Sequence, residues 1–303
     1  MIRELKIAVS ASGKEAQYDE CAKSIAGQKF IIANILAKSV DAFRGMKPKD
    51  IVPYIEGEPY ISRVPTEPGL TRFDIICYVR LPERSGEKAS DGEKKPLTQI
   101  IINVEIQKNQ PKKYKILNRS IFYVCRQISA QKERDFVGSH YDDIKNVYSI
   151  WICMNMEKNS MCHIHLTKED IIDAQQWKGN LDLLNIIMIG IGKEVPGREE
   201  GYELHRLLGA VFSKKLTLEE KLNILQEYGV PVEEEFRKDV NEMCNLGEGI
   251  LEDGIEIGWQ RGLEEGRKES QQLIRNMHKN GFTAEQIAAA IDMELEEVQA
   301  ILA

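Results

Sequence analysis

Two carboxylates stand where a folded chain rarely leaves them without a task. Asp74 lies in the apolar run Phe73-Asp74-Ile75-Ile76-Cys77-Tyr78-Val79, and Glu105 in Gln99-Ile100-Ile101-Ile102-Asn103-Val104-Glu105-Ile106-Gln107. Burying a charge is costly unless it is paired, hydrogen-bonded or bound to a metal. A divalent cation shared by Asp74 and Glu105 is one economical answer, because Mg²⁺ takes oxygen ligands, commonly one or two carboxylates, and keeps several waters. Such an ion can generate a nucleophilic water and neutralise charge developing on a phosphorus centre. The plainer readings are ion pairs: Asp74 with Arg72 or a nearby lysine, and Glu105 with Arg119.

The elements that must position these groups are legible from periodicity. Strand side chains alternate faces. Ile100, Ile102, Val104 and Ile106 therefore share one apolar face, while Ile101, Asn103, Glu105 and Gln107 share the other. Strands are expected over residues 54–63, 71–80, 98–107 and 147–156, with a short one near 161–166. The Gly-, Ser- and Lys-rich stretch from Pro82 to Pro96 reads as a hairpin loop. Helical spacing marks residues 18–45, broken near Gly27, and residues 115–131, whose Ile116, Ile121, Val124, Cys125 and Ile128 can face a sheet. Beyond about residue 167 the chain reads as helical, with the apolar run Leu181–Ile189 as core.

An Asp on one strand, followed by Glu-x-Gln ending the next, resembles the PD-(D/E)XK nuclease superfamily. The stretch Asn118-Arg119-Ser120-Ile121-Phe122-Tyr123-Val124-Cys125-Arg126-Gln127-Ile128-Ser129 resembles the Arg-x-x-x-Tyr helix of its Rpn branch, the recombination-promoting nucleases also described as PD-(D/E)XK nuclease family transposases. The runs Tyr18-Asp19-Glu20-Cys21-Ala22-Lys23, Tyr54–Pro59, Val147–Asn155 and Glu242–Leu246 resemble the same branch. The similarity spans roughly residues 15 to 270. It implies a restriction-endonuclease-like α/β core of order αβββαβ, a central mixed sheet flanked by helices, with a helical C-terminal extension. It further implies catalytic Asp74, Glu105 and Gln107, and Mg²⁺ or Mn²⁺ held by Asp74, Glu105 and the Ile106 backbone carbonyl. Gln107 stands where the superfamily commonly has Lys. A glutamine can orient water or phosphate by hydrogen bonds but brings no positive charge.

Charge is unevenly placed. The chain carries a formal charge of −7 over 303 residues, yet residues 106–134 hold eight bases against Glu133 alone. Lys108, Lys112, Lys113, Arg119, Tyr123 and Arg126 are therefore the candidate DNA-binding residues, beside the proposed metal site where a phosphate backbone would be steered. A solvated helix face is the common use of such a run. His163 and His165, with Cys162 preceding them, have no second Cys/His pair at zinc spacing and read as packing or surface residues.

Glycine recurs at Gly254, Gly258, Gly262 and Gly266, a stripe on one side of a helix interleaved with charges. The tail from Thr283 reads as helix–turn–helix, with Thr283 and Gln286 forming a capping box. Its second helix opens with Glu294, Glu296 and Glu297 and holds no Lys or Arg. Acid facing phosphate is repulsive, so the tail reads as an interaction hairpin rather than a DNA reader.

The expected division is an α/β domain over 15–195, a helical region over 196–246, and a glycine-repeat helix with a hairpin over 247–303. The partners expected are DNA and no membrane, since no run of about twenty apolar residues occurs; the C-terminal helices leave room for a homo-oligomer. Six cysteines without a CxxC pair, and an N-terminus without a signal-peptide pattern, point to reduced thiols in a bacterial cytoplasm. The expected activity is metal-dependent DNA cleavage linked to recombination, mobile elements or defence. The alternative is an inactive nuclease fold serving as a nucleic-acid-binding or protein-interaction module.

Overall fold

In chain order the elements are α1 (Ile2–Ala26), α2 (Lys29–Ser39), α3 (Pro48–Ile51), β1 (Ile55–Ile61), β2 (Ile75–Arg80), β3 (Gln99–Gln107), α4 (Ile116–Ser129), β4 (Asn146–Met156), β5 (Ser160–His165), β6 (Leu184–Gly192), α5 (Glu203–Phe212), α6 (Leu218–Glu227), α7 (Glu234–Lys279), α8 (Ala284–Ile291) and α9 (Leu295–Leu302). The computed structural model describes residues 2–61, 74–82, 99–108, 110–174 and 177–303, with side chains from residue 13 onward. Arg72, the start of the expected second strand and the expected hairpin loop beyond Pro82 lie outside the described residues. Two compact units emerge: residues 17–247, and residues 1–16 together with 248–303.

The larger unit is an α/β layer built on one six-stranded mixed sheet, in the order β1-β2-β3-β4-β6-β5. β1, β2 and β3 form an antiparallel meander. The chain then crosses through α4, so that β4 lies parallel to β3. β6 is parallel to β4, and β5 closes the far edge antiparallel to β6. A parallel neighbour needs such a crossover, and a strand covered on both sides reads as a nearly continuous apolar run. β3 is of that kind: residues 100–105 are all buried.

One face of the sheet packs against α4, where Ile101, Val124, Val147, Trp151, Cys153 and Ile186 form a single buried cluster. α5 lies against Ile191 from the other parity of β6, through Gly209. Tyr18 Oη on α1 donates to the Phe212 carbonyl at 2.7 Å, and Asn34 on α2 donates to the Tyr228 carbonyl at 3.4 Å, tying the helices of this unit together.

Two expectations are corrected. Residues 184–192 form an interior strand, not a helical core segment. A short apolar run does not separate a buried strand from a buried helix by periodicity, and here Ile186, Ile187, Ile189 and Ile191 are β-branched residues that favour the pleated surface. On α4, Ile121 and Cys125 face outward. The covered stripe is Ile116, Ser120, Tyr123, Val124, Gln127 and Ile128, which follows the i, i+3, i+4 rule more closely than the apolar letters do.

In the smaller unit, the end of α7 packs with α8 and α9 around Ile274, Ile287, Ala288 and Val298. The Thr283–Gln286 capping box is formed as the sequence suggests. The glycine repeat falls within one unbroken helix of 46 residues. Among the described residues, no helix is long and apolar enough to cross a membrane. All six cysteines are free.

Candidate active site

The antiparallel register pairs Ile75 with Val104. One step further, Asp74 and Glu105 stand opposite each other at the mouth of β2 and β3. There side chains replace the backbone ladder. The Asp74 amide donates to Glu105 Oε1 at 3.0 Å, and the Ile106 amide donates to Asp74 Oδ2 at 3.0 Å. Each carboxylate is thus fixed by the backbone next to the other. In an extended strand the N–H and C=O of one residue point to the same edge, so the Ile106 carbonyl opens toward Asp74 as well.

The two acids are balanced differently. Asp74 Oδ1 lies 2.7 Å from Lys23 Nζ, supplied by α1. Glu105 is 3% exposed and is held from below by a polar chain on the same face of the sheet. In the amide orientation that satisfies both of its ends, Asn103 donates to Glu105 Oε1 and to the Ile75 carbonyl, at 3.2 Å each, and accepts from Ser149 Oγ at 3.3 Å. Ser149 in turn accepts from Trp151 Nε1 at 2.9 Å. Burial, followed by the negative charge of Asp74, pushes the Glu105 carboxyl from 4.5 up to about 8; the Asp74 amide, Arg119 and Asn103 act in the opposite direction. Burial beside Asp74 thus favours the protonated form of Glu105, unless a cation takes that proton's place.

Gln107, Arg119 and Tyr123 come together beside this pair. Arg119 donates to Gln107 Oε1 at 3.2 Å, to Tyr114 Oη at 3.0 Å and to Tyr123 Oη at 2.9 Å. Its guanidinium lies over the rings of Tyr123 and Trp151, with centroids at 4.8 and 5.4 Å. The donors of Arg119 go to Gln107 and the tyrosines, not into an ion pair with Glu105. Lys108 is half-buried over the Tyr18 ring, and its carbonyl accepts from Asn155. Lys112, Lys113 and Arg126 are exposed, and among the described contacts none of them joins the carboxylate network.

Lys23, Ser149 and Trp151 are the site neighbours that sequence reasoning missed. Strand parity from the β3–β4 pairing Asn103↔Ser149 and Glu105↔Trp151 would have found the last two. Lys23 comes from a helix 51 residues upstream of Asp74, and no local signal links them.

Asp74, Glu105 and the Ile106 carbonyl are hard oxygen donors of the kind Mg²⁺ and Mn²⁺ accept. Among the described residues there is no group of three or more His, Cys, Asp or Glu side chains able to hold a metal, so an ion here would rely on two carboxylates, backbone and water. Comparison with protein-family models, curated proteins and solved structures found no match to the chain.

Proposed function

We propose that this chain is a Mg²⁺- or Mn²⁺-dependent DNA endonuclease of the PD-(D/E)XK type, with a restriction-endonuclease-like core. The observation that carries the reading is the interlocked pair: Asp74 and Glu105, each fixed by the other strand's mouth, with Glu105 buried and its carboxyl raised to about 8. A proton-hungry carboxylate beside a second carboxylate is a common mark of a functional site. The element order from α2 through three antiparallel strands, a crossover helix and a parallel strand agrees with it.

The residues that would hold the ion are Asp74, Glu105 and the Ile106 carbonyl. When bound, the ion would supply water activation and charge neutralisation at phosphorus. The chain's own residues do the rest. Asn103, Ser149 and Trp151 hold the Glu105 carboxylate in one orientation. Loss of the Glu105 proton readies that carboxylate as a ligand. Lys23, at 2.7 Å from Asp74, brings the positive charge that Gln107 cannot. Gln107 fixes Arg119, which places a guanidinium beside the path of a phosphate. The exposed Lys112, Lys113 and Arg126 are suited to backbone contacts of the salt-sensitive kind.

A second reading has its own support. With Lys23 balancing Asp74 and a proton on Glu105, the site is nearly neutral, as expected of a nuclease fold kept for binding DNA or protein without cleavage. Calorimetric titration with Mn²⁺ at about pH 8 separates the two. The nuclease reading expects binding with proton release, lost in Asp74→Asn. No heat of binding in the wild-type chain favours the non-catalytic module.

A further inference from the structure

One face of α7 stays uncovered. Leu251, Ile255, Trp259 and Leu263 recur every fourth residue and are 51, 65, 65 and 56% exposed. The other side of the helix is partly covered at Ile250, Asp253, Ile257 and Gln260, with Lys14 on Asp253 at 2.9 Å. At about 100° per residue, Leu251, Ile255 and Trp259 span roughly 80° of helix surface, and Gly258, Gly262 and Gly266 continue that surface toward the C-terminus. A Cβ placed on any of these three glycines meets no atom within 4 Å. A solvated helix has no use for a row of large aliphatic and aromatic side chains, and an exposed apolar patch of this kind marks an interaction surface.

The charges indicate the occupant. Residues 248–257 carry Glu248, Glu252, Asp253 and Glu256 and no base, whereas residues 258–268 carry Arg261, Arg267 and Lys268 against Glu264 and Glu265. A parallel mate would lay acid on acid. An antiparallel mate lays each acidic half beside the more basic half of the other.

We propose that a second copy of this chain docks on the Leu251–Gly266 face of α7, antiparallel, about a two-fold axis beside Gly258 and Trp259. Such an interface is isologous, so each contact occurs twice. In this register Ile255 lies against Gly262 of the second copy, Leu251 lies against its Gly266, and Trp259 meets its own counterpart. Glu252 comes within a turn of Arg267 of the second copy. The glycines let the backbones approach closely. Each costs about 1 kcal/mol of helix propensity, which close packing offsets. The inference does not depend on the nuclease reading.

Sedimentation velocity on the full chain, from about 1 to 200 µM, tests it. The wild-type chain should show a reversible monomer–dimer equilibrium. Trp259→Gln and Gly262→Gln should each weaken it at least tenfold. Helicity should hold in the first and hold or rise in the second, because Gln is a better helix former than Gly. Glu252→Arg and Arg267→Glu should each weaken the dimer, and the double variant should restore it. A wild-type chain monomeric at every concentration overturns the proposal and leaves the face to another partner. A dimer indifferent to Trp259→Gln and Gly262→Gln, or a double variant that fails to recover, also overturns it.

Discussion

The proton on Glu105 sets up a test that can be worked from the structure. The carboxyl rises from 4.5 to about 8 on folding. Between those values the folded chain holds a proton that the unfolded chain has released. Stability falls with rising pH wherever the folded state binds more protons. The contribution is therefore intact below about pH 4.5 and is lost as pH climbs through 8. At about 1.4 kcal/mol per unit, Glu105 alone costs the folded state roughly 3 kcal/mol at pH 7 and about 5 kcal/mol above pH 8. Glu105→Gln keeps the volume and the oxygen that accepts from the Asp74 amide, but has no proton to lose. In metal-free buffer the two proteins should melt close together near pH 5. The variant should melt higher by about 10–20 °C near pH 8.5, taking about 2–4 °C per kcal/mol for a domain of this size. Titrating groups away from the pair are common to both and cancel in the difference, which reports Glu105 together with its coupling to Asp74. Thermal melts by circular dichroism across this range, with chelator present, give the comparison directly. Parallel pH profiles in the two proteins would refute the reasoning.

Other outcomes follow from the same contacts. Gln107→Lys, which would recreate the common Glu-x-Lys pattern, puts an ammonium where Arg119 now donates at 3.2 Å; it should destabilise the fold by about 1 kcal/mol, read as a lower melting temperature, and not raise cleavage. Ser149→Ala leaves Trp151 Nε1 and Asn103 short of a partner; it should cost about 1–3 kcal/mol in chemical denaturation and weaken Mn²⁺ binding at Glu105. Lys221 is fully buried, donates to the Val211 carbonyl at 3.3 Å, and has its pKa lowered by burial. Lys221→Met should therefore stabilise the fold by about 1 kcal/mol or more, an increase readable as a shift in the urea midpoint.

Much of the sheet is readable from the sequence because its strands announce themselves. β3 is bounded by polar ends, and the alternation of its residues alone places Asn103, Glu105 and Gln107 on one face. The parallel register puts Ser149 and Trp151 beneath them, a relation that only a strand pairing can supply. β6 is misread as helix because a fully buried strand and a buried helix present the same unbroken apolar letters. α4 is misjudged by its apolar letters, whereas the fold buries Ser120 and Gln127 and leaves Ile121 outside. Lys23 could not be foreseen at Asp74, since ion pairs between a helix and a distant strand depend on tertiary packing and leave no spacing behind. The glycine repeat is visible as a pattern, but that the large residues beside it face solvent is a fact of the folded chain.

The central claim is that Asp74 and Glu105 together hold a catalytic cation, and supercoiled plasmid tests it most directly. With Mg²⁺ or Mn²⁺ the wild-type chain should nick or linearise the plasmid. Chelator should stop the reaction, and both Asp74→Asn and Glu105→Gln should abolish it while keeping the wild-type circular dichroism spectrum. Cleavage that survives in either folded variant, or a wild-type chain that leaves the plasmid intact with both cations at about pH 8, would contradict the account.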